Sequence, residues 1–262
     1  MLVFGAICPH SPVLIPAIGK ENTQLFPKTL EAYKTLKARL AEAAPEVLVI
    51  ITSHGEVAED KFILPSATEF EVSFEEFGDL ATKFKVAAAT TWINNLREAL
   101  KSKANIGVVN QEKLDYGSGV PLFYLNQELK CPVVVVNQAA ASRQAHWELG
   151  RLLGEEFLAT EMRIAVVASG ELSHCLNENA PGGYNPQAKT FDNRVVEILT
   201  HKKTEDILNM KDEEIAEIKE CGLKSMMVLL GVFAESEYES EFLAYENPLG
   251  VGCLSLNFKI ED

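Results

Sequence analysis

Short runs of β-branched and other apolar residues alternate along this chain with stretches of helical spacing, and that alternation restricts the fold more than any other feature. The runs Leu2–Cys8, Val47–Thr52, Ile106–Val109, Val133–Asn137, Ile164–Ser169 and Val251–Phe258 read as strands apolar on both faces, which must be covered on both faces. Between them, Leu30, Tyr33, Leu36 and Leu40 recur every three or four residues and line one side of a helix. Residues 87–100 and 142–158 behave in the same way, and 211–234 reads as one long helix, acidic in its first half and apolar in its second. Strands and helices in this order predict an α/β fold, a mostly parallel central sheet with helices on both faces. The 262 residues hold no repeat, low-complexity tract or Pro/Gly/Ser-rich linker, so one domain spanning 1–262 is expected.

Charge removes whole classes of partner. With 24 Lys and Arg against 38 Asp and Glu the net charge is 24 − 38 = −14, which repels phosphate backbones, so no nucleic acid is expected. Apolar stretches such as Val133–Val136 and Ile164–Ala168 fall far short of the ~20 residues that span a bilayer, so no membrane is expected either. The amino terminus carries no basic leader, and the five cysteines form no CxxC pair. A cytoplasmic location with reduced thiols is the expectation.

The histidines carry the chemistry. His10 follows the first strand in Cys8-Pro9-His10-Ser11-Pro12, and His54 follows the second in Thr52-Ser53-His54-Gly55. Ligands of open parallel sheets bind beyond the carboxyl ends of strands, so two imidazoles placed there can meet at one ion. The plain alternative, two histidines bonded to nearby backbone, weighs about equally on spacing alone. His174 closes Ser169-Gly170-Glu171-Leu172-Ser173-His174 after another strand, where an imidazole suits proton transfer. His146 and His201 fall in helical segments with polar neighbours and read as structural. Glu220 stands at the border between the acidic and apolar halves of the long helix. A partly buried carboxylate there needs a compensating charge, which makes it the candidate third ligand.

Six blocks in order, Pro9-His10-Ser11-Pro12, Ser53-His54-Gly55, Leu114-Asp115-Tyr116-Gly117, Ser169 to His174, Glu220-Cys221-Gly222 and Tyr245 to Gly252, resemble the LigB superfamily over essentially the whole chain. That superfamily comprises the catalytic subunits of class III extradiol ring-cleavage dioxygenases and the related Memo-like proteins. The likeness is greatest to LigB-like domains that stand alone or are fused to an AMMECR1 domain. The chain's end at Asp262 leads us to expect no such fusion. The resemblance implies a LigB-like fold and a non-haem iron(II) site of His10, His54 and Glu220, with His174 as the acid/base. A small aromatic diol of the catechol type and dioxygen are the implied substrates, and a homodimer is the implied assembly. Zinc can take the same donors in a purified sample.

Two departures from the family pattern bear on function. Tyr116 stands where ring-cleaving members carry His, and a phenol with a pKa near 10 orients oxygen or substrate but is a poor base. Glu171 stands where Asp is commoner. Cys221 matches a cysteine that ligates metal in Memo-like relatives, and a thiolate favours softer ions such as copper(I) or zinc. Residues adjacent on a helix diverge by ~100°, so Glu220 and Cys221 are not expected to share an ion. Glu220 is the expected ligand, and Cys221 is expected to face the core. The alternative function is therefore a Memo-like metal-binding accessory protein without ring cleavage. Tyr184, Phe123 and Tyr245 are the expected aromatic walls.

Overall fold

The computed structural model describes residues 1–59 and 61–260; Asp60, Glu261 and Asp262, which the expected span 1–262 takes in, lie outside the described residues. In chain order the strands and helices are β1 (Leu2–Cys8), α1 (Pro16–Gly19), α2 (Pro27–Ala43), β2 (Val47–Thr52), β3 (Phe62–Ser66), β4 (Glu69–Phe74), β5 (Asp79–Ala87), α3 (Thr90–Leu100), β6 (Ile106–Asn110), α4 (Tyr116–Leu125) and β7 (Val133–Asn137). Then follow α5 (Arg143–Leu158), β8 (Ile164–Ser169), α6 (Ala188–Thr200), α7 (Thr204–Leu208), α8 (Asp212–Ile218), α9 (Leu223–Val232), β9 (Tyr238–Glu246) and β10 (Cys253–Ile260).

Eight strands form one sheet in the order β6-β3-β7-β2-β8-β1-β10-β9, and β4 and β5 pair separately. The middle four, β7, β2, β8 and β1, run parallel, and β2, β7 and β8 are buried along their whole length. Burying each Val or Ile there contributes about 1.5–3 kcal/mol, which is why these strands read as unbroken apolar runs. The antiparallel pairs lie outside this group, where β10 joins β1 and β9, and where β3 meets β7. Helix α2 packs on β1, β10 and β9, and α9 packs on β8 and β2 with α5 against it. Among the described residues, no helix is long and apolar enough to cross a membrane.

Strand register sets up the site. Cys8 pairs with Ser169, Ile51 with Ala168 and Thr52 with Asn137. The carboxyl ends of four neighbouring strands therefore stop in one row. Because β8 lies between β1 and β2, the segments leaving all three emerge side by side.

The expected single helix over 211–234 is two helices. Lys219 adopts a left-handed conformation (φ 54°) and ends α8. Residues 219–222 then cross the row of strand ends instead of continuing the helix. The amides of Cys221 and Gly222 both donate to the Glu171 carbonyl, at 3.3 and 2.9 Å, and His174 N donates to the Ile218 carbonyl at 3.2 Å. Gly170 and Gly222 let the two segments touch. A Cβ on Gly170 would lie 2.3 Å from the Gly222 Cα.

Candidate metal centre

His10 leaves β1 through a turn that the Tyr33 hydroxyl holds by donating to the Pro9 carbonyl. Its Nδ1 lies 2.9 Å from Ser169 Oγ, and that hydroxyl donates its own proton to the Gly117 carbonyl. Ser169 Oγ is thus left to accept, so His10 carries its proton on Nδ1 and turns the Nε2 lone pair inward. Burial, 1% exposed, pushes the imidazole pKa down to about 4, against the pull of Glu171. His10 is neutral at neutral pH.

His54 leaves β2 with its amide 3.3 Å from Thr52 Oγ1, which donates to Asp115 at 2.6 Å. Asp115 also caps α4, accepting from Ser118 N at 3.1 Å. One carboxylate therefore ties the start of α4 to the end of β2 and sets Tyr116 against His54. The rings stack at 4.4 Å, with Tyr116 Oη 2.9 Å from His54 Nε2. Gly117 is required by the same closeness, since a Cβ there would lie 2.7 Å from Thr52 Oγ1 and 3.2 Å from His54 Cδ2. Burial lowers the His54 pKa and raises that of Tyr116. The imidazole stays neutral and the phenol keeps its proton.

The two imidazoles meet: His54 Nε2 lies 3.0 Å from His10 Nε2. Cys221 comes in beside them, with Sγ 3.4 Å from His10 Nε2. His10, His54 and Cys221 hold their ligand atoms within 4.8 Å of one another, as do Glu171, His174 and Cys221. Glu220, expected as the third ligand, is in neither group; its carboxylate accepts from Leu223 N at 2.7 Å, at the start of α9. Without a continuous helix, the sulfur of Cys221 turns toward the strand ends and not into the core, where it was expected. The Glu171 amide lies 3.4 Å from that sulfur.

His174 donates from Nδ1 to the Leu172 carbonyl at 3.0 Å and presents Nε2 to Glu171 Oε2 at 3.5 Å. Burial pulls its pKa down, but the Glu171 carboxylate outweighs that, and the net shift is upward. Glu171 is buried and also lies 3.9 Å from His10 Nε2. Its carboxylate, three residues before His174, was visible in the sequence only as a variant of the family block. Of the expected aromatic walls, Phe123 packs against Tyr124, Tyr245 donates to Asp192 at 2.6 Å, and Tyr184 is exposed. His146 and His201 both bond to helix carbonyls, as their positions implied.

The donor set fits a single cation. Two nitrogens bound to one ion at about 2.1 Å lie roughly 3.0–3.4 Å apart, depending on the angle. The imidazoles are neutral, one has its tautomer fixed from behind, and a sulfur completes the triangle. His10 is buried while His54, Tyr116, His174 and Cys221 are only half-buried, so one side of the cluster faces out. A separate hollow of about 600 Å³ at the amino end of β1 is lined by Arg39, Arg163 and Lys259. There Arg39 and Lys259 are already paired with Glu241.

The model of one family, the catalytic LigB subunit of aromatic ring-opening dioxygenase, matches residues 5–254. The chain belongs to the LigB family. Among similar curated proteins, Protein CA_C1420 of Clostridium acetobutylicum is 27% identical over 261 residues, covering 94% of this chain and 55% of that protein. The 3,4-dihydroxyphenylacetate 2,3-dioxygenase of Escherichia coli is 29% identical over 159 residues, covering 55% of this chain and 56% of the enzyme. The aligned region thus spans about half the length of each of these relatives. The crystal structure of the uncharacterized protein JW3007 from Escherichia coli K12 shares the fold, with TM-score 0.66, 16% identity and coverage of 97% of this chain and 99% of that one.

Proposed function

We propose that this LigB-family chain holds one divalent metal ion through His10, His54 and Cys221 and acts as an extradiol-type dioxygenase on a catechol-like diol. The observation that carries this reading is the meeting of His10 Nε2, His54 Nε2 and Cys221 Sγ at the open edge of the sheet, with His174 beside them. Iron(II) held by these three residues would supply positions for a chelating diol and for dioxygen and would couple their redox chemistry. The protein's own part is positional and protonic. His10 and His54 offer neutral nitrogens, and Ser169 keeps the His10 lone pair aimed. His174, raised in basicity by Glu171, takes a proton from a diol hydroxyl or returns one. Tyr116 stays protonated and orients an oxygen by donating.

Anaerobic loading with iron(II), followed by an oxygen-electrode screen of catechols, tests this reading. Oxygen uptake that requires both iron and diol and disappears in His54→Ala is the expected result. Stoichiometric iron binding without uptake on any diol defeats the dioxygenase assignment.

The second reading is a Memo-like metal-binding accessory protein. Cys221 beside the imidazoles and Tyr116 in place of His favour it, because sulfur suits copper(I) or zinc. A partner captured reproducibly by the wild type and lost with His10→Ala supports this reading, and its absence under all conditions counts against it. Glu220 is the competing third donor, and would have to leave the Leu223 amide to serve.

A further inference from the structure

The hairpin of β4 and β5 stands outside the main sheet, yet its tip reaches the cluster. The Phe77 ring lies 5.1 Å from that of Tyr116, edge to face, and Tyr116 stacks on His54. These rings form a continuous path from a partly exposed Phe77, 37% exposed, to the buried His10. The tip is rigid. Gly78 takes a left-handed conformation (φ 80°) that turns the chain, and Asp79 Oδ1 accepts from the amides of Ala81 and Thr82 at 2.9 and 3.0 Å. Glu75 pairs with Lys83 across the turn. The base is anchored by Phe70, Val72 and Phe74, all fully buried, and by backbone bonds from Glu71 to the segment leading into α4. A tight turn favours small polar residues; this one carries a large ring held over the phenol that flanks the metal ligands.

We propose that Phe77 is a specificity residue: its ring packs against the ring of a bound diol and selects aromatic over non-aromatic chelators. The inference rests on the diol-binding reading above. A rigid aromatic side chain already in place loses little freedom on binding, and an edge-to-face pair strengthens binding about two- to tenfold beyond simple burial.

The test compares two chelators, catechol and acetohydroxamate, which both offer two oxygens while only the first has a ring. Their Kd values are measured by calorimetry on zinc-loaded wild type, Phe77→Ala and Phe77→Leu. Metal stoichiometry and circular dichroism are recorded for each protein. The expected result is that Phe77→Ala weakens catechol about tenfold and acetohydroxamate less than about twofold, with Phe77→Leu between. Parallel changes for both chelators, no change for either, or a loss of metal stoichiometry overturns the inference while leaving the diol-binding reading standing. Failure of both chelators to bind the zinc-loaded wild type overturns the two together.

Discussion

His10 and His146 are both buried histidines, 1% and 0% exposed, and burial pushes each down to a pKa of about 4. They differ in what their second nitrogen meets. In His146 both nitrogens are satisfied by backbone: Nδ1 donates to the Ser142 carbonyl at 2.8 Å and Nε2 accepts from Ala139 N at 3.3 Å. In His10 only Nδ1 is held, while Nε2 faces an imidazole, a sulfur and a carboxylate. Burial and weakened basicity therefore do not distinguish a site. A lone pair aimed at other donors does, and it marks the edge shared by β1, β2 and β8.

The largest test of that contrast is removal. His10→Ala and His54→Ala are expected to abolish stoichiometric metal binding, beyond the roughly 10–100-fold loss that follows from altering an outer partner. His146→Gln should leave it intact. Equal loss from all three, measured by metal analysis after dialysis, would erase the distinction.

Stability against pH comes next. In the unfolded chain His146 takes a proton near 6.5, and in the folded chain only near 4. Between those values the unfolded state binds more protons, so stability is complete above about pH 6.5 and falls as the pH drops toward 4. The contribution is roughly 3 kcal/mol. Urea midpoints at pH 7 and 4.5 should show a flatter dependence in His146→Gln than in the wild type; matching slopes would contradict the burial argument.

Ser169→Ala frees the back of His10 and is expected to weaken metal binding by about 10–100-fold, read by competition with a chelator. Smallest of all, Glu220→Gln should change metal affinity by less than about threefold, an energy no larger than that of one neutral hydrogen bond. A large loss there would return Glu220 to the ligand set.

The six strands legible in the sequence are mainly those whose surroundings demand apolar residues on both sides. β4 was missed although Phe70, Val72 and Phe74 alternate with polar residues, because it belongs to a half-covered hairpin and forms no continuous run. β3 contains Pro65, and β9 is an edge strand carrying Glu239, Glu241 and Glu246, so neither resembles a buried strand. Of the cluster, His10, His54 and His174 were legible because each closely follows a strand, and Tyr116 was legible from its family block. Cys221 was legible only as the alternative that Memo-like relatives suggest, since its direction depends on a left-handed Lys219 that no Pro or Asn announces. Glu171, one of 38 acidic residues, stood out only as a variant of its family block.

The central claim, a sulfur completing the pair of imidazoles, is tested most directly by optical spectroscopy of the cobalt(II)-loaded protein. A sulfur-to-cobalt charge-transfer band that persists in Glu220→Gln and vanishes in Cys221→Ser is the predicted result. A wild-type spectrum without that band, at full cobalt occupancy, would contradict the claim.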